Sequence, residues 1–319
     1  MAGRARMKAG DLENQLAQYL DRRESLRYRQ THRGALTRFV RDYVIEHPGE
    51  PVRADYALAW ITRVPRAPQT QSAILGTLRG FLRFVQLTDP ATAVPDNHLL
   101  RFPIRTPPFI WNAEQLRSIL EAAANVRPRG GLRASAYVTV LGLPASSGLR
   151  ISEALRLDVL DVHLVDAIPQ LDVRETKFKK SRIVPLHPTT VNHRRQYADR
   201  RGHRCHARQS NIFFVTDRGQ QLDQKYLERW FSGVTDKLGL RRPGGRRPTL
   251  HSLRHTFAVN RLTQWYNAQV PVWDLIPNLS VYLGHVSPSD SYWYISATPG
   301  LRAGASDRFA MFATSGGEE

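Results

Sequence analysis

The sequence has little that would fix the protein in a membrane or outside the cell. Its single cysteine, Cys205, excludes an intrachain disulfide and favours a reducing compartment. No run of apolar residues approaches the roughly 20 that are needed to cross a bilayer. The N-terminal segment MAGRARMKAG is basic but has no apolar stretch behind it, so it does not resemble a secretory signal. We therefore expect a cytoplasmic protein that does not contact a membrane.

Acidic residues are also scarce relative to basic ones. The 319 residues include 46 Lys and Arg against 28 Asp and Glu, which gives a formal net charge of +18. A surplus of this size attracts polyanions and speeds the encounter with them, although it says little about the fold. Nucleic acid is the leading candidate partner. A basic protein that binds a membrane surface or RNA would also have such a charge, but it would not explain the sequence motifs described below. The carboxylates form no cluster of the kind that holds a catalytic metal.

Helical periodicity dominates the first part of the chain, which has no strand pattern. Apolar residues recur at three- and four-residue steps over 11–46, 54–62 and 71–87. The segment 88–109 contains five prolines, and proline restricts its neighbour and lacks an amide donor, so we expect an extended linker there. The predicted domains are a helical domain over 1–95, a proline-rich linker over 96–109, and a second domain over 110–319 whose C-terminal tail begins at about 300.

The second domain combines helices with a small β element. Asn112 and Gln115 have the spacing of a capping box, which predicts a helix start. Two further helices are expected over 132–158, broken at 144–148. The segments QLDVRET and RIVPLH flank the basic turn KFKKS, and this pattern predicts a β-hairpin. The expected fold class is mainly α with a small antiparallel β element.

A basic stretch over 192–210 contains several metal-binding residue types. His193, His203, Cys205 and His206 invite a zinc interpretation. Their spacing matches no standard zinc finger, and a single thiolate is on offer. We expect a solvated or phosphate-facing segment instead, although the sequence does not reveal its role.

Two arginines, each with a polar partner three residues away, could bind an oxyanion. Arg150 follows a Ser-Gly break at a helix start, with Glu153 three residues later. His251 and Arg254 are also three residues apart and share a helix face. Arginine offers a planar fork of donors, and histidine offers a further donor or exchanges a proton. Each pair alone has a simpler explanation, such as a surface ion pair.

The hairpin turn and a late aromatic segment add two further residue types. The turn carries Lys177 and Lys180; charged turns usually point into water, but a lysine here could reach a neighbouring groove and donate a proton. The stretch LGHVSPSDSYWYI contains His285, then helix-start signals, then Tyr292 and Tyr294. A phenol has a pKa near 10 and becomes a useful nucleophile only when its electrophile is already polarised. Together, the arginines, histidines, lysine and tyrosine suit the transfer of a phosphodiester to a phenol.

The segments SGLRISEALRL and HSLRHTFA resemble the two arginine boxes of the tyrosine recombinases, the family of phage integrases, Xer-type recombinases and related transposon enzymes. In that family the lysine lies five residues before the arginine of the following strand, and the nucleophile lies nine residues after the late histidine. These spacings select Lys177 and Tyr294, with Lys180 and Tyr292 as the alternatives. The resemblance implies catalytic roles for Arg150, Lys177, His251, Arg254, His285 and Tyr294, with Glu153 bracing the site.

The resemblance also implies an activity and partners. It implies a helical core-binding domain that clamps double-stranded DNA, and a catalytic domain that cuts and rejoins strands through a 3′-phosphotyrosine, without a metal or cofactor. It further implies a homotetramer on paired DNA sites in a bacterial nucleoid, with accessory recombinases or DNA-bending proteins as further partners. The alternatives are a DNA-relaxing enzyme like the type IB topoisomerases and a catalytically idle architectural DNA-binding protein. The target sequence, and the choice among integration, transposition and dimer resolution, stay open.

Overall fold

The chain divides into two compact units. The computed structural model describes residues 11–28, 30–96, 99–100, 106–174, 181–204, 210–285 and 287–297. The first unit, here called unit 1, is Met1–Arg105, and the second, called unit 2, is Thr106–Glu319. This division falls inside the predicted linker. Within the described residues, no helix is both long enough and apolar enough to span a membrane.

The regular elements that the structure describes in unit 1 are helices joined by turns and short loops. Its helices are α1 (Asp11–Ser25), α2 (Arg33–Glu46), α3 (Ala54–Thr62) and α4 (Pro68–Gln86). The apolar residues at three- and four-residue steps face a common core, as the periodicity predicts. The core is rich in aromatic rings, and Phe39 meets Trp60 edge to face with 5.4 Å between ring centroids.

Unit 2 is also mainly helical, but it contains a small sheet. Its elements are α5 (Ala113–Ala124), α6 (Leu132–Ser147), α7 (Ile151–Ala154), β1 (Val162–His163), β2 (Gln170–Val173), β3 (Arg182–Pro185), α8 (Pro188–Arg204), α9 (Gln224–Lys237), α10 (His251–Asn267), α11 (Val272–Leu283) and α12 (Ser289–Ala297). The strands pair antiparallel in the order β1-β2-β3, with Leu171 opposite Val184. The predicted fold class, mainly α with a small antiparallel β element, is confirmed.

Local sequence signals predict the start of α5 and the break between α6 and α7. The capping box is present, because Asn112 Oδ1 accepts a hydrogen bond from the Gln115 amide at 2.8 Å and Gln115 Oε1 accepts one from the Asn112 amide at 3.2 Å. The two helices predicted over 132–158 are present as α6 and α7, and the break between them begins at Gly148, the last residue of the predicted break. Helix α6 continues through Pro144 and ends at Gly148, whose left-handed backbone, with φ +65°, closes the last turn.

The basic segment forms most of helix α8, and two of its arginines point into the protein. Arg194 is 4% exposed and donates to Ser146 Oγ at 2.9 Å. Arg201 is 6% exposed and donates to the carbonyls of Ser210 and Ile212 at 2.7 and 2.9 Å. The expectation of a solvated or phosphate-facing segment is therefore wrong for these two side chains, because Arg194 binds a hydroxyl of α6 and Arg201 binds carbonyls of the segment that follows α8.

Candidate active site

Residues from well-separated segments of the sequence come together in unit 2. Arg150 precedes α7, and His251 and Arg254 lie in the first turn of α10. His285 follows α11, and Tyr294 lies on α12. These side chains lie close together, because the charges of Arg254 and Arg150 shift the pKa values of His251, His285 and Tyr294. Lys177 and its alternative Lys180 fall outside the described residues, as does the tail from residue 298 onward.

Two glycine corners fix the arginines. Gly148 and Gly284 end α6 and α11 with φ of +65° and +67°, a conformation that favours glycine. Arg254 Nη1 donates to the Gly148 carbonyl at 2.7 Å, and its Nη2 donates to the Leu283 carbonyl at 2.7 Å. Arg150 Nη2 donates to the Gly284 carbonyl at 3.0 Å. Both guanidinium groups are thus held by backbone carbonyls rather than by flexible acids alone.

Arg254 is a cation that is almost completely buried. It is 1% exposed, and its Nε donates no hydrogen bond to any residue that the structure describes. Burial and the neighbouring charge of Arg150 lower the pKa of Arg254 to about 10. The side chain therefore stays charged at neutral pH, and the phenol of Tyr294 lies within its field. A buried cation of this kind costs free energy unless an anion joins it.

Glu153 is a carboxylate that two arginines, Arg150 and Arg182, both bind. Arg150 Nη1 donates to Glu153 Oε1 at 2.7 Å. Arg182 donates through both Nη atoms to the two carboxylate oxygens at 3.2 and 2.8 Å. Burial acts to raise the pKa of Glu153, but the hydrogen bond and charge of Arg182, followed by the amide and charge of Arg150, lower it to about 2. The carboxylate is therefore ionised over the whole physiological range.

Arg182 belongs to this site although the sequence analysis used it only to count back to the lysine. It lies in the first position of β3, with its side chain 11% exposed, and its Nε donates to the Tyr282 carbonyl at 2.9 Å. An added Cβ at Gly284 would lie 2.9 Å from Arg182 Nη1, so the glycine corner also makes room for this side chain. No sequence signal pairs it with Glu153, since 29 residues separate the two along the chain and strands β1 and β2 lie between them.

The histidines of the site are held neutral. Burial, followed by the charges of Arg254 and Arg150, lowers the pKa of His285 to about 4. The same causes lower the pKa of His251 to about 4. His285 Nδ1 lies 2.8 Å from Ser291 Oγ, which orients the ring. Two neutral imidazoles beside two cationic guanidiniums form a site that is rich in donors for an oxyanion.

The two tyrosines of α12 have different environments. Tyr294 is 2% exposed, and its hydroxyl lies 3.0 Å from His255 Nδ1. Burial raises the pKa of Tyr294, against the charge of Arg254. Tyr292 is 39% exposed and stacks on Trp273 with 5.8 Å between centroids. Tyr294 is therefore the tyrosine that the fold directs toward the arginines.

His255 is a second residue that the sequence analysis missed. Its ring centroid lies 4.5 Å from that of His251, one helical turn earlier on α10. The spacing of four residues in HSLRHTFA could have found it, because residues four apart share a helix face.

A groove gives access to the site. It has a volume of about 510 Å³ and passes Arg150 and His251. Ser152, Gln224 and Arg247 lie along its wall. The lining includes two arginines and several neutral polar groups, which suit an extended anion, together with one acid, Glu228.

Within the described ranges, no set of three or more His, Cys, Asp or Glu residues is arranged to hold a metal ion. Cys205 and His206, which the zinc interpretation needed, lie outside those ranges.

Comparisons with known proteins identify the family. The family model described as Phage integrase family matches residues 111–299. A putative integrase/recombinase of Sinorhizobium fredii, y4rB, is 35% identical over 89% of this chain and 92% of its own length. Tyrosine recombinase XerD of Listeria innocua is 24% identical over 76% of each chain.

Solved structures share the fold at lower identity. The XerH site-specific recombinase, in a post-cleavage complex with palindromic difH substrate, aligns over 97% of this chain and 98% of its own with a TM-score of 0.70 and 14% identity. The Tn1549 transposon integrase, in complex with transposon right end DNA, aligns over 93% and 99% with a TM-score of 0.63 and 15% identity. The chain belongs to the phage integrase family of tyrosine recombinases.

Proposed function

We propose that this protein is a site-specific recombinase of the integrase or transposase type that cuts and rejoins DNA strands, with Tyr294 as the nucleophile. One observation carries the proposal: a buried phenol lies among two fixed arginines and several neutral histidines, in a donor-rich site without a grouped set of metal ligands in the described ranges. Groups of this kind stabilise a phosphorus centre whose negative charge grows during attack.

The arginines bind the phosphodiester. Arg150 and Arg254 neutralise its non-bridging oxygens, and their backbone anchors mean that little reorganisation is needed during the reaction. His251 and His285 each donate one ring N–H to the same oxygens. Glu153 acts indirectly, because its charge fixes Arg150 and Arg182 rather than contacting DNA.

The reaction exchanges one ester for another. The Tyr294 hydroxyl oxygen attacks phosphorus, the bond to the 5′-oxygen breaks, and a 3′-phosphotyrosine remains. Lys177, or Lys180 on the same turn, gives the departing 5′-oxygen its proton. A 5′-hydroxyl from a partner strand then attacks the phosphotyrosine and releases the enzyme. The bond energy is kept throughout, so the exchange needs no nucleotide triphosphate.

Double-stranded DNA is the expected substrate, and several observations support it. The net charge is +18, the XerH and Tn1549 structures named above contain DNA, and the groove at Arg150 is open. Exchange between two duplexes needs several protomers, and we expect a homotetramer on paired sites in the nucleoid, with accessory recombinases or DNA-bending proteins. Unit 1 would clamp the duplex as the core-binding domain.

Covalent trapping tests the proposal. The full-length protein is incubated with labelled DNA fragments from around its own gene and denatured with detergent, and protein-linked label is measured. Tyr294→Phe should abolish the adduct and leave DNA affinity nearly unchanged, whereas Tyr292→Phe, the matched control on the same helix, should keep the adduct. An adduct that survives in Tyr294→Phe would refute the assignment. Tight DNA binding without any adduct would favour the idle architectural protein, and relaxation of plasmids that lack a site would favour the topoisomerase-like enzyme.

A further inference from the structure

His255 lies against the reacting oxygen, and the mechanism above gives it no role. Its Nδ1 is 3.0 Å from the Tyr294 hydroxyl. The ring is fixed on other sides by His251, at 4.5 Å between centroids, and by Trp293, at 5.6 Å. Helix α10 presents His255 one turn after His251, where α12 packs on α10, so the contact follows from the packing of two helices rather than from a surface loop.

The protonation states of the pair suit a proton transfer in one direction. Burial raises the pKa of Tyr294, so the phenol keeps its proton at neutral pH. Burial, followed by the charges of His251 and Arg254, lowers the pKa of His255 to about 3, so its ring is neutral and one nitrogen has a free lone pair. The titratable and charged groups that face His255 are His251 and Arg254 on α10, Arg242 on the preceding loop, His285 after α11 and Tyr294 on α12.

The phenol of Tyr294 must lose its proton when its oxygen bonds to phosphorus. When the phenol oxygen bonds to phosphorus it becomes an ester oxygen, which cannot keep a proton. A general base must lie within hydrogen-bond distance of the proton that it takes, and His255 Nδ1 meets this condition. A bound phosphodiester would also offset the positive charge of Arg254, which makes protonation of His255 easier at the moment of attack.

We propose that His255 is a further catalytic residue, the base that accepts the phenolic proton of Tyr294. The proposal rests on Tyr294 being the nucleophile. As the bond from the phenol oxygen to phosphorus forms and the bond from phosphorus to the 5′-oxygen breaks, the proton passes from the phenol to His255 Nδ1. The 5′-oxygen receives its proton separately from the lysine of the turn. When the 5′-hydroxyl of the partner strand attacks, its proton passes to the neutral lysine of the turn, and His255 returns its own proton to the tyrosine oxygen that leaves phosphorus.

The first test uses the full-length protein without DNA. Labelling the histidine rings with ¹⁵N shows by NMR which ring nitrogen carries the proton, and His255→Gln identifies the His255 signals by their disappearance. We expect the proton on Nε2 and a bare Nδ1 at pH 7.5. A proton on Nδ1 would overturn the proposal, because that nitrogen would then donate to the phenol and could not take its proton. This outcome is independent of any DNA site.

The second test isolates the base from the acid. The probe is a duplex that contains the trapped cleavage site, with sulfur in place of the bridging 5′-oxygen, because a thiolate leaves without needing a proton. His255→Asn keeps an oxygen acceptor near the Nδ1 position but cannot take a proton. We expect it to cleave about 100-fold more slowly than the wild type or slower still. Its rate should rise about tenfold per pH unit between about pH 7 and 9, as the phenolate forms. The wild-type rate should be flat over the same range.

The control and the contrary outcomes separate the two proposals. His203→Asn, at the exposed end of α8, should cleave like the wild type. If His255→Asn cleaves at the wild-type rate, or is slow with a flat pH profile, His255 is not the base. If Tyr294→Phe still forms the adduct, the proposed nucleophile itself is wrong.

Discussion

Replacing Glu153 by glutamine keeps the shape of the side chain but removes the charge that Arg150 and Arg182 share. The ordinary pKa of a glutamate, 4.5, falls to about 2 at this position. Each tenfold change in proton affinity is worth about 1.4 kcal/mol, so the folded state favours the charged over the uncharged carboxyl by about 3 kcal/mol. Glutamine imitates the uncharged form, and Glu153→Gln should therefore lower the free energy of unfolding by about 3 kcal/mol at neutral pH.

Urea unfolding followed by tryptophan fluorescence measures this loss. Every tryptophan except Trp60 lies in unit 2, so the signal reports mainly the unit that contains Glu153. Glu121→Gln, at an exposed position of α5, is the matched control and should change the free energy of unfolding by less than about 0.5 kcal/mol.

The pH dependence gives this prediction a second check. Because the folded-state pKa of Glu153 is lowered, its contribution is complete above pH 4.5 and is lost only as the pH falls toward 2. The difference between wild type and Glu153→Gln should therefore stay constant from about pH 5.5 to 8. A difference below about 1 kcal/mol would show that the carboxylate does not hold the two arginines as described.

Two further predictions concern the glycine corner and the histidines. Gly148→Ala should destabilise the protein by about 1–3 kcal/mol in the same urea assay, because its Cβ would lie 2.6 Å from Leu283 and Phe257 at a φ of +65°. Gly142→Ala, in the middle of α6 with open space around it, should be neutral or stabilising; equal losses in the two variants would contradict the steric argument. Because the pKa values of His255 and His285 fall from 6.5 to about 3 and 4, the folded state binds fewer protons than the unfolded chain, and stability should drop steadily as the pH falls from 6.5 toward 4. Urea midpoints that do not change over this window would contradict the neutral state of the two rings.

Features set by neighbouring residues were predictable from the sequence. The capping box of Asn112 and Gln115 is present because both hydrogen bonds close within one helical turn. The hairpin of β2 and β3 follows from alternating apolar residues around a basic turn. The spacing that the family resemblance implies selected Tyr294 rather than Tyr292, and the buried position of Tyr294 agrees with this choice, although its chemical role stays a prediction.

Features set by distant contacts were not predictable in the same way. The pairing of Arg182 with Glu153 joins a strand to a helix start, and no periodicity relates the two. Helix α6 runs through Pro144 and stops only at Gly148, the far end of the predicted break, and the local sequence does not fix this exact position. Arg194 and Arg201 looked like surface charges, yet tertiary contacts with loop carbonyls and a hydroxyl bury them. Only His255 was open to discovery, since its spacing from His251 is that of one helical turn.

Locating the DNA attachment in the trapped adduct tests the central claim most directly. The adduct is isolated, its DNA is trimmed with nuclease, its protein is digested with protease, and mass spectrometry identifies the peptide that carries the residual nucleotide. We predict a 3′-phosphate linked to Tyr294, in the peptide that follows His285. Attachment at Tyr292, at a residue outside α12, or through a 5′-phosphate would contradict it.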